Sequence, residues 1–393
     1  MIPFRIVRLP HPRVFPKARH AKLVPLLATR RKTPPSISPG LPSLAFAFIC
    51  LLIQAASAQT PLPSTSENNA SLEEVIENKK SAPLRRDADD RGVVTVNFEN
   101  DVFSGSDDGY TNGARIAWLS PEKNLPYWIE RGSDLFPFFA KEGHKRYSFA
   151  LGQTMFAPED LTRTDLIKDD RPYAGFLYGS VGVLSDTGYR LDNLMLSLGM
   201  VGPSSLAEQT QKTVHSFTPG SVYPRGWENQ LSDEPGVVLA YERKWRGLYE
   251  FSPFGPAFDV TPQLGGMLGN VYTNATAGAT FRFGYDLPAD YGPPLIRPSL
   301  PGSDFFVPSR KLGWYLFAGL EARAVARDIF LDGNSFRDSH SVNKNIFVGG
   351  AQTGVALTYK NTRVAYTHAF RTKEFEQQKD PDMFGALTLS VRF

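Results

Sequence analysis

The sequence predicts an all-β protein: a transmembrane antiparallel β-barrel that is closed and has about 12 strands. Across residues 92–393, short runs of alternating apolar and polar residues are separated by Gly, Asn, Asp and Pro, as in strands joined by turns. None of these runs reaches the roughly 20 apolar residues that a membrane-spanning helix needs. A closed barrel pairs every backbone group, which is what a strand protein requires in order to cross a bilayer.

Twelve segments carry the strand pattern, and this number sets the expected size of the barrel. A barrel of about twelve strands has a narrow lumen that side chains or a connecting segment readily fill. The predicted strands are 93–102, 110–120, 146–156, 173–185, 190–200, 234–246, 257–268, 275–284, 311–325, 344–359, 362–371 and 384–393.

The last strand, FGALTLSVRF, indicates a membrane barrel. Its apolar residues fall on one face and its polar residues on the other, as expected for strands between lipid and a polar interior. The apolar face has Leu387, Leu389, Val391 and Phe393, and the polar face has Thr388, Ser390 and Arg392. A terminal phenylalanine after such alternation resembles the signal by which outer-membrane proteins are recognised, so Phe393 predicts the barrel-assembly machinery as a partner.

Aromatic residues near the predicted strand ends are typical of the interfacial girdles of membrane barrels. The alternative is a soluble β-sandwich with ordinary core aromatics. The predicted girdle residues are Trp118, Tyr147, Tyr173, Trp245, Trp314 and Tyr315.

The N-terminus predicts an export signal. Residues 44–53 form a short apolar run, and Ala56-Ser57-Ala58 has the small-x-small form of a signal-peptidase site. The long basic region before the run leaves an organellar transit peptide as the alternative. We therefore expect a signal peptide over 1–58, a disordered periplasmic tail over 59–91, and the barrel over 92–393.

Removal of the predicted signal peptide changes the charge of the chain. The first 58 residues hold nine of the 43 Lys+Arg and none of the 40 Asp+Glu, so the remainder has a net charge of −6. The composition therefore gives no reason to expect a nucleic-acid partner. The single cysteine, Cys50, also lies in the predicted signal peptide, which excludes a disulfide scaffold and a cysteine nucleophile from the rest.

A periplasmic tail would direct the first strand outward, and the connections would then alternate between the two sides of the membrane. Among the inward connections, 121–145 has two interpretations: an interfacial amphipathic helix or a loop that plugs the barrel floor. The expected outward loops are 103–109, 157–172, 201–233, 269–274, 326–343 and 372–383; the inward connections are 121–145, 186–189, 247–256, 285–310 and 360–361.

Three stretches at the predicted outer rim carry candidate chemistry. They are 97–101 at the end of the first strand, 107–113 at the start of the second, and the loop with Gln211, His215 and Ser221. A neutral histidine accepts a proton from water, and a carboxylate such as Asp101 binds a hard cation. Each stretch also has a structural interpretation, as a solvated loop histidine, a turn cap or a hairpin exit.

Together these stretches resemble the lipid A 3-O-deacylases of the bacterial outer membrane. Five segments in the same order carry the resemblance, which extends over 92–393. It implies a twelve-stranded barrel in the outer membrane of Gram-negative bacteria, and a calcium-dependent hydrolysis of the 3-O-linked acyl esters of lipid A. The five segments are NFENDVFSGSDDGYTNG (97–113), DRPYAG (170–175), QKTVH (211–215), GWENQL (226–231) and FRTKEF (370–375).

The resemblance also implies roles for individual residues. His215 would activate water, Asp101 would bind Ca²⁺, and Gln211 would support the pocket. Asn100 and Thr111 would orient the metal site or the ester oxyanion.

Two positions depart from the family pattern. Ser221 stands where the family has an acidic residue, so only its backbone carbonyl remains as a metal ligand. The family's basic pair in the second outer loop is partly kept, as Arg163-Thr164. Arg163, Lys168 and Arg171 are the expected contacts to the phosphates of lipid A.

The function expected from the sequence is therefore that of a carboxylic ester hydrolase acting on lipid A of lipopolysaccharide in the outer leaflet, in a monomeric barrel. One alternative is a phospholipase-like esterase of the same architecture, which the departures at Ser221 and Thr164 motivate. The other is a non-enzymatic small porin or structural barrel with a degenerate site.

Overall fold

The computed structural model describes residues 89–100, 110–122, 125–217, 222–252, 255–292, 304–308 and 311–393. The predicted signal peptide and most of the predicted tail lie outside these residues. The last part of that tail, 89–91, is held to the barrel, because the Asp89 carboxylate accepts hydrogen bonds from Arg146 and Arg392, each at 2.7 Å.

Twelve long antiparallel strands form one closed barrel, which confirms the predicted architecture. Each long strand pairs with the next along the chain, and the first and last strands close the ring with Val93 opposite Arg392. The strands are β1 Val93–Asn100, β2 Tyr110–Leu119, β3 His144–Phe156, β4 Ala174–Asp186, β5 Arg190–Val201, β6 Glu234–Trp245, the short β7 Tyr249–Phe251, β8 Ala257–Gly269, β9 Tyr272–Tyr285, the short β10 Ala289–Asp290 and β11 Phe306–Val307, β12 Leu312–Asp328, β13 Phe347–Tyr359, β14 Thr362–Arg371 and β15 Asp382–Arg392.

The alternation of side chains in β15 produces the predicted two faces. Leu387 and Leu389 are 46% and 44% exposed on the outward face. Thr388 and Ser390 are fully buried on the inward face. The same period of two recurs in β1, where Val96 is exposed and Thr95 and its inward neighbours are buried. The outward face is therefore an apolar belt, and the inward face is polar.

The predicted aromatic girdle is only partly present. Trp118 stacks on Phe149 with ring centroids 6.1 Å apart, and Trp314 lies beside Tyr285, both on the outward face. Two assignments are wrong. Tyr315 falls on the inward face of β12 and donates a hydrogen bond to Asp290. Tyr173 precedes β4 and is buried in a cluster above the wall.

The lumen is filled at both ends. The end with Val93 and Arg392, here called the terminal end, contains the connection between β9 and β12, where Phe305 and Phe306 pack inside the barrel. Arg115 of β2 forms a buried two-bond ion pair with Asp304 of this connection. The opposite, loop end is closed by an apolar cluster of Phe156, Phe176, Tyr178, Val201, Leu231, Val238, Val271, Tyr272, Ile329, Phe330, Ala369 and Phe384.

Among the described residues of the connections there are three α-helices: α1 Tyr127–Asp134, α2 Ala207–Phe217 and the single turn α3 Ile329–Asp332. In the part of the chain that the structure describes, no helix is long and apolar enough to span a membrane. α1 belongs to the 121–145 connection and packs on the outside of the wall, as in the interfacial interpretation of this segment. The β9–β12 connection, and not 121–145, occupies the lumen.

Candidate functional site

Helix α2 lies against the outward face of β3 and β4 at the loop end. Its first residue, Ala207, is buried in a cluster with Met155 of β3 and Trp227. Gly175 of β4 makes this approach possible, because a Cβ at Gly175 would overlap Ala207 and Ser205. Gln153 of β3 also holds the preceding turn, since its amide donates to the Ser205 carbonyl at 2.6 Å. The lipid-facing wall therefore carries a polar helix at this rim.

Gln211 lies one helical turn after Ala207, and both side chains are 1% exposed. Residues four apart share one face of a helix, so this stripe is the side of α2 that is covered. The Trp227 indole N–H donates to Gln211 Oε1 at 2.7 Å, and its ring packs 4.9 Å from that of Tyr173. Burial raises the pKa of Tyr173 to about 12, so this phenol stays neutral. Gln211 thus fixes α2 through a buried hydrogen bond.

His215 continues the same stripe by one more turn. Its Nδ1 lies 2.7 Å from the Val222 carbonyl oxygen. A carbonyl only accepts hydrogen bonds, so Nδ1 carries a proton, and in the neutral ring Nε2 is the nitrogen with the free lone pair. This is the arrangement of a histidine that is oriented through one ring nitrogen and acts as a base through the other.

Asn100 and α2 are linked by a row of outward-facing residues. In the ladder Asn100 pairs with Asn112 of β2, and Asn112 pairs with Met155, which contacts the α2 cluster. Asn100 and Asn112 are 6% and 3% exposed, although the alternation places them on the lipid side. Two buried amide side chains thus lie in a row that leads from the end of β1 to the first turn of α2.

The other side of this row contains His368, which the sequence did not single out. Asn100 pairs with Gly385 of β15, and Gly385 pairs with His368 of β14. The alternation of β14 places His368 outward, like Tyr366 and Phe370. An ionisable side chain at such a position marks a candidate functional residue, because apolar side chains fit the lipid better.

Some of the expected metal ligands lie outside the residues that the structure describes. Asp101 and Ser221 lie outside the described residues, and of Thr111 the structure describes the backbone in β2. Within the described ranges, no group of three or more His, Cys, Asp or Glu side chains is arranged to hold a metal ion. The calcium site therefore remains a prediction based on Asp101 and its neighbours.

The three expected phosphate contacts lie in different environments. Lys168 is exposed, and Arg163 is exposed with its guanidinium paired to Asp165. Arg171 is buried and paired to Glu374, so it is not placed to meet a phosphate. A cleft of about 300 Å³ separates the loop with Arg163 from the loop after β14. Its lining has six acidic and three basic residues: Glu159, Asp160, Arg163, Ile167, Asp169, Asp170, Arg171, Phe375, Gln377, Gln378, Lys379, Asp380 and Asp382.

Glu374 joins these two loops by accepting hydrogen bonds from two arginines. Its Oε2 accepts from Arg171 at 3.0 Å and its Oε1 from Arg371 at 2.8 Å. Burial opposes ionisation, but the charges of Arg371 and Arg171 outweigh it and lower the pKa of Glu374. Removal of this charge would take one counterion from each of two buried guanidinium groups, and Arg171 would retain only the Asp382 carboxylate at 3.7 Å.

We expect Glu374→Gln to destabilise the barrel by about 3 kcal/mol, because breaking a buried ion pair costs about 3–5 kcal/mol and glutamine retains one acceptor. Urea unfolding in detergent, followed by tryptophan fluorescence, measures this loss. The folded-state pKa is depressed, so the contribution is complete above the ordinary value of 4.5 and decreases as the pH falls below it. The wild type should lose more stability on acidification than the variant. Glu376→Gln, at an exposed position of the same loop, is the control; equal stability of the two variants would contradict the assigned role.

Comparison with known proteins identifies the family. The profile of the family described as "Outer membrane protein LpxR" matches residues 44–393. LpxR from Salmonella typhimurium has a similar structure, with a TM-score of 0.62 at 18% identity over 77% of this chain and 100% of that chain. The β domain of the Bordetella autotransporter BrkA matches with a TM-score of 0.36 at 12% identity, over 78% of this chain and 100% of that one. None of the curated proteins matches the chain.

The family match extends over most of the chain, including every strand of the barrel. The similar Salmonella structure shares the barrel fold and is matched over its full length. The family match places the protein in the outer membrane of Gram-negative bacteria. The chain belongs to the LpxR family of outer-membrane proteins.

Proposed function

We propose that this protein is a lipid A 3-O-deacylase, an ester hydrolase that removes the 3-O-linked acyl chains of lipid A. The observation that carries the proposal is the oriented His215 on α2, above the lipid-facing side of the wall. A water-soluble substrate would not require a base on this side. A lipid that diffuses in the outer leaflet reaches it directly.

His215 serves as the general base in the proposed reaction. Its Nδ1 is held by the Val222 carbonyl at 2.7 Å, so Nε2 is the atom that takes a proton from the attacking water. The water oxygen forms a bond to the ester carbonyl carbon, and the tetrahedral intermediate collapses as the bond from that carbon to the sugar oxygen breaks. The proton on Nε2 returns to that leaving oxygen. Gln211 keeps the helix, and with it the imidazole, in place.

Asn100, Asp101 and Thr111 suit a hard cation, because together they offer only oxygen ligands. Bound Ca²⁺ would supply positive charge next to the oxygen on which negative charge develops. Asn100 is sheltered at the end of β1, and Asp101 follows it directly in the sequence. The amide of Asn100 and the hydroxyl of Thr111 would orient the metal or donate to the oxyanion.

The filled lumen argues against the porin alternative. Phe305 and Phe306 are fully buried inside the terminal end, and Arg115 anchors their segment through Asp304. The apolar cluster around Phe330 closes the loop end. In the described part of the barrel, these two layers place side chains where a porin has water.

The test is mass spectrometry of lipid A from a Gram-negative host that expresses the wild type, His215→Ala or Asp101→Ala. We expect the wild type alone to remove an acyl chain, with the mass lost corresponding to one 3-O-linked chain. Heat-modifiable migration on gels verifies that each variant is folded in the membrane.

Unchanged lipid A with folded wild type in the membrane would contradict the proposal. Release of fatty acid from phospholipids under the same conditions would instead select the phospholipase-like function. Activity retained by Asp101→Ala in the presence of a calcium chelator would reject the metal role while leaving the esterase role intact.

A further inference from the structure

The connection between β2 and β3 lies on the lipid-facing side of the barrel wall. Ile129 of α1 and the following Phe139 are buried against Val183 of β4 and Leu194 of β5. Both wall residues occupy outward positions in strands whose inward neighbours, such as Leu184, face the lumen. Residues 125–140, here called the wall segment, therefore cover part of the apolar belt near the terminal end.

The backbone of the wall segment is hydrogen-bonded to the barrel where it leaves the helix. The Phe138 carbonyl accepts from Arg243 Nη2 at 2.8 Å, and the Tyr241 hydroxyl oxygen lies 2.9 Å from the same carbonyl oxygen. The fully buried Asp192 fixes both side chains, since its Oδ1 accepts from the Tyr241 hydroxyl and from Arg243 Nε, each at 2.6 Å. Non-helical backbone is tolerated at membrane depth only where the protein satisfies its polar groups, and this carbonyl meets that condition.

The opposite side of the wall segment presents large apolar side chains to the surroundings. Tyr127 and Trp128 are 70% and 58% exposed, and Leu135 and Phe138 are 85% and 65% exposed. Exposed groups of this size are unfavourable in water, whereas tyrosine and tryptophan are the residues enriched where acyl chains meet headgroups. The exposed surface is continuous with the belt, because Leu196 and Leu239 of the adjacent strands face the same side.

We propose that the wall segment is a membrane-embedded anchor whose partner is phospholipid at the boundary between acyl chains and headgroups. Its covered side replaces lipid on the wall of β4–β6, and its exposed side restores an apolar surface to the bilayer. The polar side chains of α1, Glu130, Arg131 and Asp134, are also exposed, and in this placement they would lie among the headgroups. The segment thereby holds the barrel at a fixed depth, whatever reaction occurs at the opposite rim.

Spin labels at single cysteines test this placement. In a Cys50→Ala background the chain has no other cysteine. Trp128→Cys, Leu135→Cys and Phe138→Cys are labelled and reconstituted in vesicles of phosphatidylethanolamine and phosphatidylglycerol. Collision of each label with oxygen, which dissolves in lipid, is compared with collision with a water-soluble nickel chelate. Leu389→Cys in the apolar belt and Glu376→Cys in an exposed loop provide the lipid and water references.

We expect the oxygen-to-nickel ratio at the wall segment to approach that of the belt reference and to exceed that of the loop reference severalfold. Ratios equal to the loop reference at all three positions would overturn the proposal, since the surface would then face water and await a protein partner. The three replaced side chains are all exposed, so one folded variant is sufficient for the comparison.

Discussion

Replacement of His215 by glutamine is expected to reduce kcat for lipid A deacylation by about 10²–10⁴-fold, the usual contribution of a general base. Glutamine fills a similar volume and can still donate to the Val222 carbonyl, but it offers no basic nitrogen to the water. The Michaelis constant should change little, because His215 acts on water and not on the acyl chain or the sugar. Rates are measured on purified protein with lipid A in mixed micelles.

The matched control for His215 is Thr213→Ala on the same helix. Thr213 is exposed, and its hydroxyl bonds only to the Gln209 carbonyl within α2. We expect this variant to retain the wild-type rate. A His215→Gln enzyme that keeps more than a tenth of the wild-type kcat, while Thr213→Ala is normal, would remove His215 from the role of base.

The strands and their faces were predictable because the barrel imposes one simple rule on every long strand. Lipid lies on one side and a polar interior on the other. The period of two in a segment such as 384–393 therefore predicts the face of the wall on which each side chain lies. The prediction for Tyr315 was wrong because it depended on residue type and not on this alternation. Its aromatic character suggested the girdle, whereas its position between outward Trp314 and Leu316 places it inside.

The site was less predictable because its contacts join distant parts of the chain. The spacing of Gln211 and His215 fits a helix face. The neighbouring sequence, however, does not indicate that this helix packs on Gly175 or that Trp227 donates a hydrogen bond to Gln211. Arg171 illustrates the limit most clearly. Its partner Glu374 lies 203 positions away in the sequence, so an arginine in an outer loop was assigned to phosphate although it joins two loops internally.

The wall segment had two interpretations for the same reason. Its own residues, including Trp128 and Phe139, are amphipathic in either case. The choice between a plug and a wall position depends on the outward residues Val183 and Leu194, and on the hydrogen bond that Arg243 donates to the segment's backbone. The lumen is instead occupied by the β9–β12 connection, whose Asp304 pairs with Arg115.

Gly175→Val is expected to lower deacylation by about 10²-fold or more without unfolding the barrel. A side chain at this position overlaps Ala207 and Ser205, so α2 must move away from the wall. His215 would move with it, and a displacement of about 1 Å at a reacting group can cost about 10²-fold in rate. Valine itself suits a strand, so β4 should still pair with β3 and β5.

Gly179→Val provides the matched control, because it makes the same substitution four residues further along β4, on the same outward face. Nothing lies within 4 Å of a Cβ added at Gly179, which faces the apolar belt. Both variants should show the heat-modifiable migration of a folded barrel, and only Gly175→Val should lose activity. Equal activity of the two would mean that α2 moves without cost. In that case the close contact between helix and wall is not what positions His215, and the hydrogen bond between Trp227 and Gln211 must hold the helix alone.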